Sequence, residues 1–249
     1  MRIVTWNVNG VRAREREVLE LVAAQKPDVL CMQEIKSSPE QLPPNLGGLM
    51  GMPEYSSFWH GKGGYSGVSV HLRKSSFSEP VSFSHPTFDH EFRVVEAKCA
   101  GTTFVSMYVP NGGKDFGQKM DFMRELIAWA RKQRETPTIV CGDMNVTRAP
   151  MDVHADQRNP RVIGQRADER ELFERFFAEG FTDVGRKLAP DDDTLFTWWQ
   201  YWHNARQRNI GWRLDYVSAT ADLAAKARRA QVLRDFGTSD HAPVIVDFD

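Results

Sequence analysis

Eight polar residues, Asn7, Glu34, Tyr108, Asp143, Asn145, Asp215, Asp240 and His241, lie inside or at the ends of short apolar runs. Their contexts are "TWNVNG", "CMQEIK", "SMYVPNGG", "CGDMNV", "WRLDY" and "TSDHAP". Carboxylates and amides are hard oxygen ligands, suited to Mg²⁺ or Mn²⁺ rather than zinc. No cysteine pair has zinc spacing. Mg²⁺ is usually held by one or two carboxylates plus substrate phosphate, which makes Glu34 and Asp240, with Asn7 nearby, the candidate ligands. Asp143 is then free to orient or deprotonate a water, and Asn145 to donate to a phosphate oxygen. His241, paired with Asp215, would stay protonated and stabilise a pentacoordinate transition state. The chemistry is metal-assisted hydrolysis of a phosphoester. Neighbours on an extended strand point to opposite faces, so Asp240 is expected to face the metal and His241 the phosphate.

Taken singly, each residue has an ordinary reading. Asn or Asp after a strand forms turns, a strand Tyr packs with a wet hydroxyl, and a Glu after an apolar strand is solvated. Asp215 beside Tyr216 is different, because an unpaired buried carboxylate is costly. The ordinary readings weaken when all these residues occur at strand ends in one chain.

The elements that must position them are short apolar strands at 2–6, 28–33, 66–73, 93–99, 103–109, 137–143, 213–219 and 242–248. Helical spacing appears over 12–25, 116–134 and 167–179, and the long segments 37–55 and 147–165 read as loops. Each half runs strands, a helix, then more strands. That order fits an α/β fold of two sheets packed face to face with helices outside better than one parallel sheet.

The net charge of −1 excludes a polycation, so nucleic-acid binding would need a local basic face around an acidic pocket. Cys31, Cys99 and Cys141 have no CxxC spacing and lie in or beside apolar runs, as buried thiols of a reduced compartment do. No apolar stretch approaches membrane-spanning length, and "MRIVTWNV" is strand-like rather than a signal peptide. A cytoplasmic, monomeric protein is expected. Four of the seven tryptophans crowd into residues 198–212.

"TWNVNGVRA", "PDVLCMQEIK", "GYSGVSV", "YVPNGG", "GDMNV", "NARQRNIGWRLDY" and "SDHAPV" occur in that order across nearly the whole chain. Together they closely resemble the exonuclease III family of abasic-site endonucleases, within the endonuclease/exonuclease/phosphatase superfamily. The resemblance implies one domain over 1–249, a four-layer α/β sandwich with pseudo-twofold halves. It implies Mg²⁺-dependent hydrolysis 5′ to abasic sites in double-stranded DNA, leaving a 3′-hydroxyl and a 5′-deoxyribose phosphate, and action on blocked 3′ ends. By motif, Asn7, Glu34 and Asp240 resemble the metal-side residues. Tyr108, Asp143, Asn145, Asp215 and His241 resemble the catalytic ones. Trp198, Trp212 and Leu214 would line the pocket for the flipped-out abasic sugar, with core packing the alternative for the tryptophans. Trp202 and Lys114 would enter the DNA grooves. Arg12, Lys36, Asn111, Lys114, Arg206 and Arg208 are phosphate-contact candidates, with a solvated surface the alternative for each basic residue.

Segment 153–165, "VHADQRNPRVIGQ", departs from the family pattern. Gly164 keeps a small residue, but Gln165 stands where relatives carry an aromatic. This leaves open the balance between abasic incision and 3′-end processing. Two further readings share the fold. A phosphodiesterase of another substrate class is disfavoured by "NIGWRLDY" and the aromatics before it. A non-catalytic nucleic-acid binder would have lost Glu34, Asp143, Asn145, Asp240 or His241, and all are present.

Overall fold

The computed structural model describes residues 1–47 and 51–249. In chain order its strands are β1 (Arg2–Asn7), β2 (Val29–Gln33), β3 (Tyr55–His60), β4 (Val68–Arg73), β5 (Ser82–Ser84), β6 (Val94–Cys99), β7 (Thr102–Tyr108), β8 (Thr138–Asp143), β9 (Phe181–Asp183), β10 (Asp215–Thr220), β11 (Ala227–Val232) and β12 (Val244–Phe248). The helices are α1 (Glu15–Gln25), α2 (Phe116–Gln133), α3 (Ala167–Ala178), α4 (Val184–Leu188) and α5 (Ala221–Ala225). The strands form two six-stranded sheets, ordered β11-β12-β1-β2-β4-β3 and β5-β6-β7-β8-β10-β9. In each, one parallel pair, β1–β2 or β7–β8, is flanked by antiparallel neighbours. A parallel pair needs a crossover connection, and α1 and α2 supply the two crossovers. The sheets are pseudo-twofold copies of one pattern.

The eight strands expected from sequence are the eight inner strands. The sequence reading missed β3, β5, β9 and β11, which are the four outer strands. Among the described residues, segments 37–54 and 147–165 carry short 3-10 turns at Pro39–Gln41, Pro150–Asp152 and Ala155–Gln157, and Tyr55 opens β3. Residues 48–50 of the first lie outside the described residues.

Side-chain alternation sorts each strand between two apolar layers. Ile3, Val29 and Cys31 meet Phe104, Ile139, Cys141 and Val217 between the sheets. Val4, Trp6, Leu30 and Met32 pack outward against Val18 and Leu21 of α1. Val105, Met107 and Val140 pack outward against α2 and α3. The result is helix, sheet, sheet, helix. All three cysteines are free and buried. None of the described helices is long and apolar enough to cross a membrane.

Candidate active site

The same alternation that fills the inter-sheet core dictates what stands at its end. Residues 3, 5 and 7 of β1 share a face, as do 29, 31 and 33 of β2, 104, 106 and 108 of β7, and 139, 141 and 143 of β8. Asn7, Gln33, Tyr108 and Asp143 are therefore the last inward-facing residues of the two parallel pairs. Register sets Asn7 beside Gln33 and Tyr108 beside Asp143. Antiparallel β10 begins where β8 ends, with Asp215 opposite Asp143. Antiparallel β12 likewise begins near the end of β1, and Asp240 and His241 precede it. Carboxyl ends of parallel strands and starting ends of antiparallel ones thus gather at one edge.

A buried polar layer separates this edge from the apolar core. Thr5 Oγ1 donates to Gln33 Oε1 at 3.2 Å, and Gln33 Nε2 to Ser106 Oγ at 3.0 Å. Above it, Asn7 Nδ2 donates to both Glu34 Oε1 and Asp143 Oδ2 at 2.9 Å. His241 Nδ1 pairs with Asp215 Oδ2 at 2.8 Å, while its Nε2 lies 3.7 Å from Asp143 Oδ2. Thr197 Oγ1 donates to the same Asp215 oxygen at 2.6 Å. Asn145 Nδ2 donates to the Val109 carbonyl at 2.9 Å and to Asp143 Oδ2 at 3.3 Å. Its backbone N–H donates to Asp143 Oδ1 at 2.9 Å. Glu34 and Asn145, just beyond the ends of β2 and β8, both have φ near +50°, at 48° and 51°. That region is uncommon for residues other than glycine, and such strain clusters at functional sites.

The electrostatics follow from crowding carboxylates in a dry place. Burial opposes the charged imidazole of His241, but Asp215 and Asp143 overcome it and raise its pKa to about 10. Burial raises Asp143 to about 7; His241 pulls against this, and the negative charges of Asp215 and Glu34 add to it. Glu34 is also penalised by burial, yet hydrogen bonds from Asn7 and Lys36 bring it below its usual range. Burial, then the charges of Glu34 and Asp143, push the Tyr108 phenol well above 10. Three carboxylates, Glu34, Asp143 and Asp215, crowd one buried histidine, so the site carries excess negative charge. A hard divalent cation relieves that excess, and Glu34 and Asp143 bring carboxylate oxygens within 4.8 Å of each other, with the charged His241 beside them as a donor rather than a ligand. The residues present fit such a cation.

Asp240 is not in that compact group. Its Oδ1 accepts from Asn9 Nδ2 at 2.8 Å and its Oδ2 from Trp198 Nε1 at 3.0 Å. Asp240 and His241 do diverge, one toward Trp198 and Asn9, the other toward Asp215.

Trp198 and Trp212 meet edge to face with centroids 5.4 Å apart. With Gln157, Asn159, Val162 and Gln200 they line a cavity of about 360 Å³. Trp199 is core, at 1 % exposed. Leu214 is buried, and its backbone N–H donates to Thr197 Oγ1 at 3.0 Å. Trp202 is 60 % exposed, and Arg12, Asn111, Lys114 and Arg208 are exposed. Arg206, expected from sequence as a phosphate contact, is engaged within the protein. Its guanidinium lies over Trp199 and donates to the carbonyls of Arg234, Phe236, Gly237 and Ser239. These four bonds brace the turn that leads to Asp240. Lys36 likewise turns inward, to Glu34 Oε2 at 2.8 Å and Asn9 Oδ1 at 2.6 Å.

The sequence reading overlooked Asn9, Thr197 and Gln157, and also Tyr201, whose hydroxyl donates to Asp240 Oδ1 at 3.4 Å and accepts from Asn9 Nδ2 at 3.2 Å. Asn9 had a signal, two residues past Asn7 in "WNVNG". Thr197 had none, because its partner Asp215 is 18 residues away. Gln157 accepts from Trp212 Nε1 at 2.6 Å, and Gln165 fixes its loop by donating to the Gln157 carbonyl and accepting from the Asn159 N–H.

Residues 4–241 match the endonuclease/exonuclease/phosphatase family. The chain belongs to that family. Within the endonuclease/exonuclease/phosphatase family it is similar to the DNA repair nuclease APEX1 of Danio rerio, 34 % identical over 98 % of this chain and 81 % of that protein. It is 31 % identical to an exodeoxyribonuclease of Bacillus subtilis, over 98 % of both. Recombination repair protein 1 of Drosophila melanogaster is also 31 % identical, but the chain spans only 37 % of that protein's length. Among solved structures of the family, an AP endonuclease from Archaeoglobus fulgidus superposes with a TM-score of 0.89 at 28 % identity, covering 100 % of this chain and 99 % of that one. A 3′ phosphatase from Neisseria bound to product DNA hairpin gives the same TM-score, identity and coverage. The homologues are hydrolytic nucleases of exonuclease III type, and their two-sheet architecture is the one described above.

Proposed function

We propose that the chain is a Mg²⁺-dependent DNA-repair endonuclease that hydrolyses the phosphodiester 5′ to abasic sites in double-stranded DNA. The products are a 3′-hydroxyl and a 5′-deoxyribose phosphate, and the same site removes 3′ blocking groups. One observation carries the reading. The Asp143–His241–Asp215 chain stands over the Asn7–Glu34 pair, next to an aromatic cavity lined by Trp198 and Trp212.

Glu34, with Asn7 beside it and Asp240 at the outer edge, would hold the cation. Mn²⁺ is an alternative ion. When bound, the cation supplies charge neutralisation at the scissile phosphate and lowers the carboxylate repulsion around Asp143. Asp143 takes the proton of the attacking water. Asn7, bonded to both Glu34 and Asp143, holds the two carboxylates against one amide. His241, charged because Asp215 and Asp143 face it, donates to a non-bridging phosphate oxygen as negative charge builds there. Asn145 adds a second donor to the same phosphate. Tyr108 keeps its proton at any working pH and completes the polar wall. An abasic sugar, cheap to extrude, enters the Trp198–Trp212 cavity, while Trp202 and Lys114 reach toward the duplex. Arg12 and Asn111 contact phosphate.

A second reading, 3′-end processing with weak abasic incision, is favoured by Gln157. Its amide bonds the Trp212 indole at the rim of the cavity where the sugar would enter. The Neisseria 3′ phosphatase is an equally similar structure. The test uses one duplex with a central abasic analogue and a matched duplex with a 3′-phosphate nick, each with Mg²⁺ and with EDTA. Metal-dependent incision of the first supports the proposal. Cleaning of the second alone favours the other reading, and activity on neither refutes both.

A further inference from the structure

His60, His85 and Asp89 bring ligand atoms within 4.8 Å of one another, away from the candidate active site. His60 ends β3, while His85 and Asp89 lie in the connection that follows β5. Both imidazoles aim at one oxygen. His60 Nε2 contacts Asp89 Oδ2 directly, and His85 Nδ1 lies 3.8 Å from it. The other oxygen, Asp89 Oδ1, accepts the backbone N–H groups of Arg93 at 2.6 Å and Val94 at 3.1 Å. The carboxylate is thus 1 % exposed, fixed from behind, and presents its free side to two imidazoles. Supporting hydrogen bonds of this kind orient metal ligands in known sites.

We infer that His60, His85 and Asp89 form a binding site for a first-row divalent cation, Zn²⁺ foremost, that clamps the edges of the two sheets together. Two imidazole nitrogens and one carboxylate oxygen suit Zn²⁺ and not Mg²⁺. Bonds of about 2.0 Å in a tetrahedron set neighbouring ligand atoms roughly 3.3 Å apart. The two contacts made by Asp89 Oδ2 bracket that value, one shorter and one at 3.8 Å. Water takes the fourth position. The rings of His60 and His85 stack with centroids 4.7 Å apart, and Phe92 closes over His60 at 5.0 Å, so the inner side is dry. His85 is half-exposed, which gives the ion a way in. No short spacing announces this set, because His60 lies 25 residues before His85.

The location gives the ion its purpose. β3 is the edge of one sheet and β5 the edge of the other. A single ion held by His60 of β3 and by His85 and Asp89 of the segment that follows β5 joins two edges that no strand pairing connects. The clamp also reaches the active site through Asp89. Arg93, anchored by its N–H to Asp89, lays its guanidinium 4.9 Å from the Tyr108 ring centroid and accepts the Tyr108 N–H at 2.8 Å.

The test titrates untagged, metal-stripped protein with Co²⁺ in excess Mg²⁺, which competes at the carboxylate site. The expected result is one equivalent with the visible absorption of tetrahedral Co²⁺, displaced by Zn²⁺. His85→Ala should weaken it by at least about tenfold, since losing a ligand costs no less than losing its support. His85 is exposed enough that this variant folds. Glu34→Ala should leave it intact. Zn²⁺ should raise the melting temperature of the wild type and not of His85→Ala. Absence of a saturable equivalent in the wild type overturns the inference. So does an equivalent that survives His85→Ala, or one that disappears in Glu34→Ala.

Discussion

Replacing Asp215 by asparagine removes the charge, but not the volume, of the group that faces His241 Nδ1 at 2.8 Å. The raised His241 pKa, about 10 against an ordinary 6.5, spans about 3.5 units, or roughly 5 kcal/mol in favour of the imidazolium. Its sign is that of a cation gaining partners. The stabilisation is complete below pH 6.5 and is lost as pH rises through about 10. Two carboxylates facing the ring provide it against burial, Asp215 at 2.8 Å and Asp143 at 3.7 Å. Removing the nearer charge should lower the His241 pKa by about two units, within the span a close opposite charge provides. At pH 9 the charged fraction would then fall from about nine-tenths to about one-tenth. The assay is single-turnover incision of an abasic-analogue duplex from neutral to strongly alkaline pH, with the histidine ring resonances followed in parallel. The alkaline limb and the ring titration should move down together. If both still fall near pH 10 in Asp215→Asn, the electrostatic account of His241 is wrong.

Asp143→Asn should lose at least about a hundredfold in single-turnover rate while still binding DNA, because positioned acid–base groups contribute that much; near-normal turnover would remove Asp143 from water activation. Glu34→Gln should shift the Mg²⁺ titration to at least about tenfold higher concentration, and an unchanged titration would take Glu34 out of the metal site. Trp212→Ala should reduce abasic incision more than 3′-phosphate removal, and equal losses would argue against a sugar pocket. Lys119 and Glu169 pair at 2.5 Å with both side chains fully buried. Lys119→Met leaves an uncompensated charge and should destabilise by roughly 3–5 kcal/mol, read as a lower denaturation midpoint.

The inner strands were legible because burial on both faces leaves an apolar run. β2, "VLCMQ", is buried at every position. The outer strands were not. "ARRAQV" of β11 places two arginines in the ladder, and β5 and β9 are three residues each. Outer strands shed apolar character because an unpaired, greasy edge invites association, so their sequence resembles loop. The candidate site was legible where chemistry demands a partner. A buried Asp215 needs a cation, and His241 was the available one. It was illegible where the fold decides which donors are already taken. Arg206 and a phosphate-binding arginine look alike in sequence. Only the turn at 234–239, closing over the guanidinium, separates them. The same holds for Lys36, whose ammonium goes to Glu34.

The pseudo-twofold arrangement has a consequence for when cleavage becomes possible. Asn7 and Glu34 belong to one sheet and Asp143 and Asp215 to the other, while His241 leads into a strand of the first but pairs across to the second. Neither half owns a competent centre. The hydrolytic geometry exists only when the two sheets are docked, because its contacts join residues 136 and 26 positions apart across them. Competence and completed folding arrive together.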